Sequence, residues 1–262
     1  YRSSSFAVVQ LGFPLIKSGL FGLIIGKIVS SLIAPFYLWK ISKFEIGKVN
    51  VSLLLILAKK FIDFPKYTNI SILLNNLSVN VINIMIPILY SSSFLGLYSI
   101  MYKVLAAPFA FLGNSINQVF LEEVVRQKNE LGQTYKLTKR ILVQLTLLSI
   151  LIFGGVFFII EDLFAFVFGE DWRMSGFYAK YLMPFFMFKF IVSPITSIHT
   201  AFEKQKLSFN LQLIMFVLSI VSLLYAHCKL LKFEQYLLLF SLLMSIFYIY
   251  RVIIILKIAK NH

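Results

Sequence analysis

Charge is what this chain has least of: Asp, Glu, Lys and Arg make up only 14% of its 262 residues. Soluble domains carry about 25%, so these residues are too few to clothe a water-facing surface. A single cysteine, Cys228, excludes an internal disulfide and any cysteine metal cluster. The three histidines, His199, His227 and His262, are far apart and near segment ends, a poor basis for a metal site. No nucleophile stands beside a base, no two carboxylates share an apolar segment, and no Gly-rich phosphate loop is present. The expectation is a protein without catalytic residues, cofactor or metal. Acid is scarcest of all, with 11 Asp and Glu against 25 Lys and Arg, a net charge of +14. A nucleic-acid face would gather those cations on one soluble surface. Here they fall in alternate loops instead, the positive-inside pattern of a membrane protein, which argues against a nucleic-acid partner.

What the chain does have is apolar length, with 59% hydrophobic residues and a mean hydropathy of +0.86. The stretch from Phe61 to Glu123 organises the rest: two long apolar segments joined by an uncharged turn at Tyr90-Ser91-Ser92-Ser93. Residues 6–39 would span about 51 Å as one helix at 1.5 Å per residue, well beyond a bilayer core of about 30 Å. Two spans at about 3–17 and 20–39 fit better. Further spans are expected at about 66–89, 94–121, 136–160, 176–199, 207–228 and 233–256, eight crossings in all. The fold class is therefore all-α, a polytopic membrane helical bundle.

The connecting segments alternate in charge. Residues 40–66 carry Lys40, Lys43, Lys48, Lys59, Lys60 and Lys66, and enclose VSLLLILAKKF, too short to cross and expected to lie at the interface. Residues 122–140 hold Arg126, Lys128, Lys136, Lys139 and Arg140; 161–173, EDLFAFVFGEDWR, reads as an acidic outer loop with a short amphipathic helix anchored by Trp172. Lys204 and Lys206 come next, and Arg251, Lys257 and Lys260 are assigned to the tail. Only Lys229 and Lys232 go against the alternation, which puts both ends of the chain in the cytoplasm.

Polar residues inside the spans are the functional candidates, since an ionisable group there costs about 2.5–3.5 kcal/mol on insertion scales. Lys27, Lys103 and Lys189 lie well inside apolar spans with no acid at their depth, while Lys17 and Lys180 are near span ends and snorkel. At about 100° per residue, Asn69, Asn76, Asn80 and Asn83 fall within about 60° of one another. Lys103, Asn114, Asn117 and Gln118 fall within about 100°, and Lys189 shares a face with Ser193 and Thr196. An unpaired ammonium facing an aqueous cavity attracts anions; a bare Asn stripe can equally bridge neighbouring helices. The candidate cavity set is Lys103, Lys189, Lys27, Asn76, Asn80, Asn83, Asn114 and Asn117. Pro87, Pro108, Pro184 and Pro194 lie inside spans, where each removes a backbone bond and can kink the helix.

Several blocks carry a resemblance. FIDFPKYTNISILLNNLS, LGLYSIMYKVLAAPFAFLGNSINQVFLEE, and DLFAFVFGEDWRMSGFYAKYL with SPITSIHTAFEKQKL after it together cover about 61–207. They resemble bacterial O-antigen and capsule polysaccharide flippases (Wzx-type) of the multidrug/oligosaccharidyl-lipid/polysaccharide exporter superfamily. The resemblance implies two six-helix lobes around a central cavity. Residues 1–42 would be the last two helices of the first lobe, 43–65 the interlobe linker, and 66–262 the second lobe. Four earlier helices are then expected ahead of Tyr1, in keeping with the absence of an initiating Met. Lys103 falls where these flippases often carry a basic residue. The implied activity is translocation of a lipid-pyrophosphate-linked oligosaccharide across the bacterial inner membrane. Its partners would be that polyprenyl carrier, membrane lipids, and a polysaccharide polymerase or export components. A drug exporter of the same fold would want a mid-membrane carboxylate, and none is present; a polymerase would want a large outer loop, whereas 161–173 is the longest. An inactive remnant is the remaining alternative.

Overall fold

The structure, a computed structural model, describes residues 51–131 and 133–260. The expected spans at 3–17 and 20–39, and Lys27 with them, lie outside the described residues. The chain divides into two compact units, 1–59 and 60–262. Helix α1, Val51–Lys60, ends at the boundary; its Leu53, Leu54, Leu55 and Ile56 are all more than half exposed. It is the short apolar helix expected within 43–65.

The second unit is a bundle of helices: α2 Asn69–Leu89, α3 Ser92–Pro108, α4 Asn114–Leu131, α5 Tyr135–Ser149, α6 Gly155–Phe168, α7 Arg173–Val192, the short α8 Ile198–Ala201, α9 Gln205–Cys228 and α10 Phe233–Lys260. Wide π turns stand at Phe64–Thr68, Phe109–Gly113 and Ile150–Gly154, the latter two joining α3 to α4 and α5 to α6 without a break. Counting these joined pieces as single helices, six among the described residues are long and apolar enough to cross a membrane: 64–89, 92–130, 135–168, 170–201, 205–228 and 233–260. The fold is an all-α polytopic membrane bundle.

Helix α7 is its centre. YLMPFFMFKFIV is apolar around nearly its whole circumference, the pattern of a helix packed on every side, and α10, α6, α3 and α5 all pack on it. Phe185, Phe186 and Phe190 are buried there. The backbone N–H of Phe185, just past Pro184, donates to Ser241 Oγ of α10 at 3.2 Å, and Ser149 Oγ donates to the Met187 carbonyl at 3.1 Å. Gly176 lets α7 close on α6, for a Cβ there would stand 2.6 Å from Glu161 Cα. Gly176→Val must separate the two backbones; overpacking costs about 1–3 kcal/mol, and a melting scan in detergent will show a lower Tm. Outward, large apolar side chains stay exposed, as lipid requires: Phe166 at 89%, Phe158 at 81% and Ile253 at 60%.

Two segments differ from the sequence-based expectation. The segment 161–173, expected to be an acidic outer loop, is mostly helix, because nothing stops α6 until Gly169, whose φ of +100° suits glycine alone. The charges are met by ion pairs instead: Lys180 with Glu161 at 2.6 Å, and Arg173 with Glu170 at 2.8 Å and Asp162. Likewise α4 runs on through the charged residues to Leu131, held by Arg126–Glu123 at 2.7 Å. At the α2–α3 turn, Tyr90 meets Phe94 and Phe233; burial, then the Glu234 carboxylate, pushes its phenol up to about 12.

Candidate functional site

The α2 candidates stand opposite its packing face. Ser78, Ile82 and Ile86 are buried against the bundle, whereas Asn76 and Asn80 are exposed and Asn83 half-buried. Tyr98, Met101 and Leu105 bury α3, which turns Lys103 outward; Lys103 is exposed and has no hydrogen bond or ion pair among the described residues. Gly96 and Ala107 stand near Lys103 on that face, and a Cβ on Gly96 would meet open space. The two stripes thus lie on neighbouring helices, both on faces turned from the core.

The α4 candidates are placed differently. Past Pro108 the π turn Phe109–Gly113 inserts one residue's worth of backbone, rotating all of α4 by about 100° relative to a continuous α-helix. Asn114 is exposed, but Asn117 turns inward and its Nδ2 donates to the Pro194 carbonyl at 2.7 Å. That carbonyl sits in the 3₁₀ turn Ser193–Ile195 closing α7, so Asn117 fastens α4 to α7.

Lys189 is half-buried and caged. Its Nζ donates to the Tyr102 hydroxyl at 3.0 Å and lies 5.3, 5.4 and 5.5 Å from the ring centroids of Tyr102, Phe185 and Phe186. Phe185 and Phe186 stand one turn before it on α7; Tyr102 reaches across from α3, beside Lys103. A cation over the faces of Phe185 and Phe186 is favoured by about 0.5–2 kcal/mol each, and with the Tyr102 hydroxyl as acceptor this lets the bundle hold the ammonium without a nearby acid among the described residues.

A polar cavity of about 370 Å³ opens at the end of the bundle that carries the basic segments, between the starts of α2 and α9, the turn after α7 and the last third of α10. Arg251, assigned to the tail from the sequence, is buried in it at 7% exposure, its guanidinium 5.9 and 5.6 Å from the Phe247 and Tyr248 rings. His199 and Gln205 line it too, at 2% and 5% exposure. The signal for Arg251 was present: Phe240, Met244, Phe247 and Tyr248 repeat at helical spacing and continue through 251 to Ile255 and Ile258.

Residues 3–176, more than half of the chain, match the family described as polysaccharide biosynthesis protein. No curated protein and no solved structure matches the chain.

Proposed function

The chain belongs to the polysaccharide biosynthesis protein family, and we propose that within it this multi-pass membrane protein moves a lipid-pyrophosphate-linked oligosaccharide from the inner to the outer leaflet of the bacterial cytoplasmic membrane. The observation that carries the reading is Lys103: an exposed cation in the apolar part of a span, without an acid partner among the described residues. Such a group is tolerated where it faces water and ligand rather than lipid, and a pyrophosphate is the anion this substrate class offers it. Asn76, Asn80 and Asn83 on the neighbouring helix supply amides for sugar hydroxyls. The lipid tail stays in the bilayer, and two lobes, the second formed by 66–262, rock around the substrate. The end with the basic segments is cytoplasmic, which puts the C-terminus there. A polysaccharide polymerase acting on the outer leaflet is the partner this product would meet.

The test is complementation. The full-length gene, expressed in a strain lacking its own flippase but making a matching repeat unit, is expected to restore surface polysaccharide. Vesicles holding the purified protein should then move a labelled polyprenyl-pyrophosphate oligosaccharide across their bilayer. Restoration of drug efflux without any lipid translocation in the vesicles would replace the reading with that of a drug exporter of the same fold.

A further inference from the structure

The cavity at the basic end is unlike the outward face of α2 and α3, and the transport reading makes no use of it. Arg251 and His199 line it together with neutral hydroxyls and amides, among them Thr196, Ser197, Gln205 and Gln212. No acid lines it. Buried polar atoms in folded proteins nearly always find partners, yet five of the nine partnerless ones among the described residues meet at this one cavity. They are Ser197 Oγ, both nitrogens of His199, Gln205 Nε2 and Arg251 Nε.

Charge decides what such a space can hold. Arg251 is only 7% exposed and forms no ion pair among the described residues. A buried guanidinium without a counter-charge is costly, and the uncompensated charge repels cations from the cavity. Its planar fork of N–H donors matches the edge of an oxyanion, which can accept two parallel bonds. The surrounding hydroxyls and amides can donate to the remaining oxygens without supplying a competing negative charge. Exposed Lys204 and Lys206 flank the lining residue Gln205 in sequence, and exposed Lys66 stands two residues before the lining residue Thr68; outnumbering the neighbouring Glu203, they would draw an anion in.

We propose that this cavity binds a phosphate group, with Arg251 as its charge partner and Ser197, His199 and Gln205 as hydrogen-bonding partners. Such a site is independent of the identity of the transported substrate. Two sources offer the same chemistry: inorganic phosphate from the aqueous side, and the headgroup of an anionic phospholipid reaching in from the bilayer edge.

The two are separated by melting the purified full-length protein under two conditions, in neutral detergent with increasing inorganic phosphate, and in nanodiscs of phosphatidylcholine with or without phosphatidylglycerol. A ligand that bridges the turn after α7, α8, α9 and α10 through Ser197, His199, Gln205 and Arg251 stabilises by mass action. Wild type should show a saturating rise in Tm with phosphate, at constant ionic strength against chloride. Arg251→Gln should weaken phosphate at least tenfold, and Arg251→Lys should keep part of the affinity. Asn75→Asp serves as the variant that must fold: Asn75 is exposed, and an aspartate can still accept the bond from Gln212 Nε2 that Asn75 Oδ1 accepts at 3.3 Å. It places a negative charge on the lining and should weaken phosphate several-fold. A Tm rise only with phosphatidylglycerol, lost in Arg251→Gln and Asn75→Asp, assigns the same pocket to a lipid phosphate. No response of wild type to either source, or a response untouched by both substitutions, overturns the proposal.

Discussion

Lys103→Glu will abolish surface polysaccharide in complemented cells while the protein remains at its normal level in the membrane. The side chain makes no hydrogen bond or ion pair among the described residues and is exposed on α3, so the bundle loses no polar partner when it changes. Lys and Asp differ little in insertion cost at mid-membrane depth, about 2.5–3.5 kcal/mol each, and the shorter carboxylate of Glu should therefore insert as well. The substrate fares otherwise. A unit charge about 4 Å from an anion contributes about 4 kcal/mol at an effective dielectric of about 20, and reversal turns that attraction into repulsion. Translocation in vesicles should fall more than a hundredfold, with Lys103→Arg keeping most of it and Lys103→Gln between. Wild-type export by Lys103→Glu at equal membrane level would remove Lys103 from the path of the pyrophosphate.

The contrast between Lys103 and the other cations shows where the sequence was legible. Apolar runs of membrane length can only be helices, since lipid offers no partner to a free N–H or C=O, and hydropathy alone is enough to place the six spans of the second unit. Charge misled at their ends: Glu161, Asp162 and Arg126 look like loop residues until Lys180, Arg173 and Glu123 are seen to pair with them on a continuing helix. Periodicity served α2, which is regular from Asn69 to Leu89, and failed across Pro108, where one wide turn changes the face of everything after it. Partners across the bundle were out of reach altogether. Nothing near Lys189 in the chain announces Tyr102, 87 residues earlier, and Arg251 passed for a tail residue although the buried stripe of α10 runs through it.

Lys189 will behave as the converse of Lys103: its loss will register in the fold of the bundle before it registers in transport. Lys189→Ala deletes a cation held by three rings and leaves the Tyr102 hydroxyl without its donor, between helices that already pack closely. The lost hydrogen bond to a charged group is worth about 1.5–3 kcal/mol, and the cation–ring contacts add about 0.5–2 kcal/mol each where desolvated. Against these stands relief from holding an ammonium out of water, so the net loss should be a few kcal/mol rather than their sum. It should appear as a clear drop in Tm. Lys189→Met tests the offset, because it fills the same space, has no charge to desolvate, and can set its sulfur among the rings; its Tm should recover most of the difference. Tyr102→Phe should lower Tm in wild type and much less in Lys189→Met, where the hydroxyl no longer has an ammonium to meet, a non-additivity that a double-mutant cycle reads directly. Transport by Lys189→Met at or near the wild-type rate would then assign the cage to holding α7 against α3. Full stability of that variant with transport lost would instead place the Lys189 ammonium on the substrate, with the three rings orienting it toward the Lys103 side of α3.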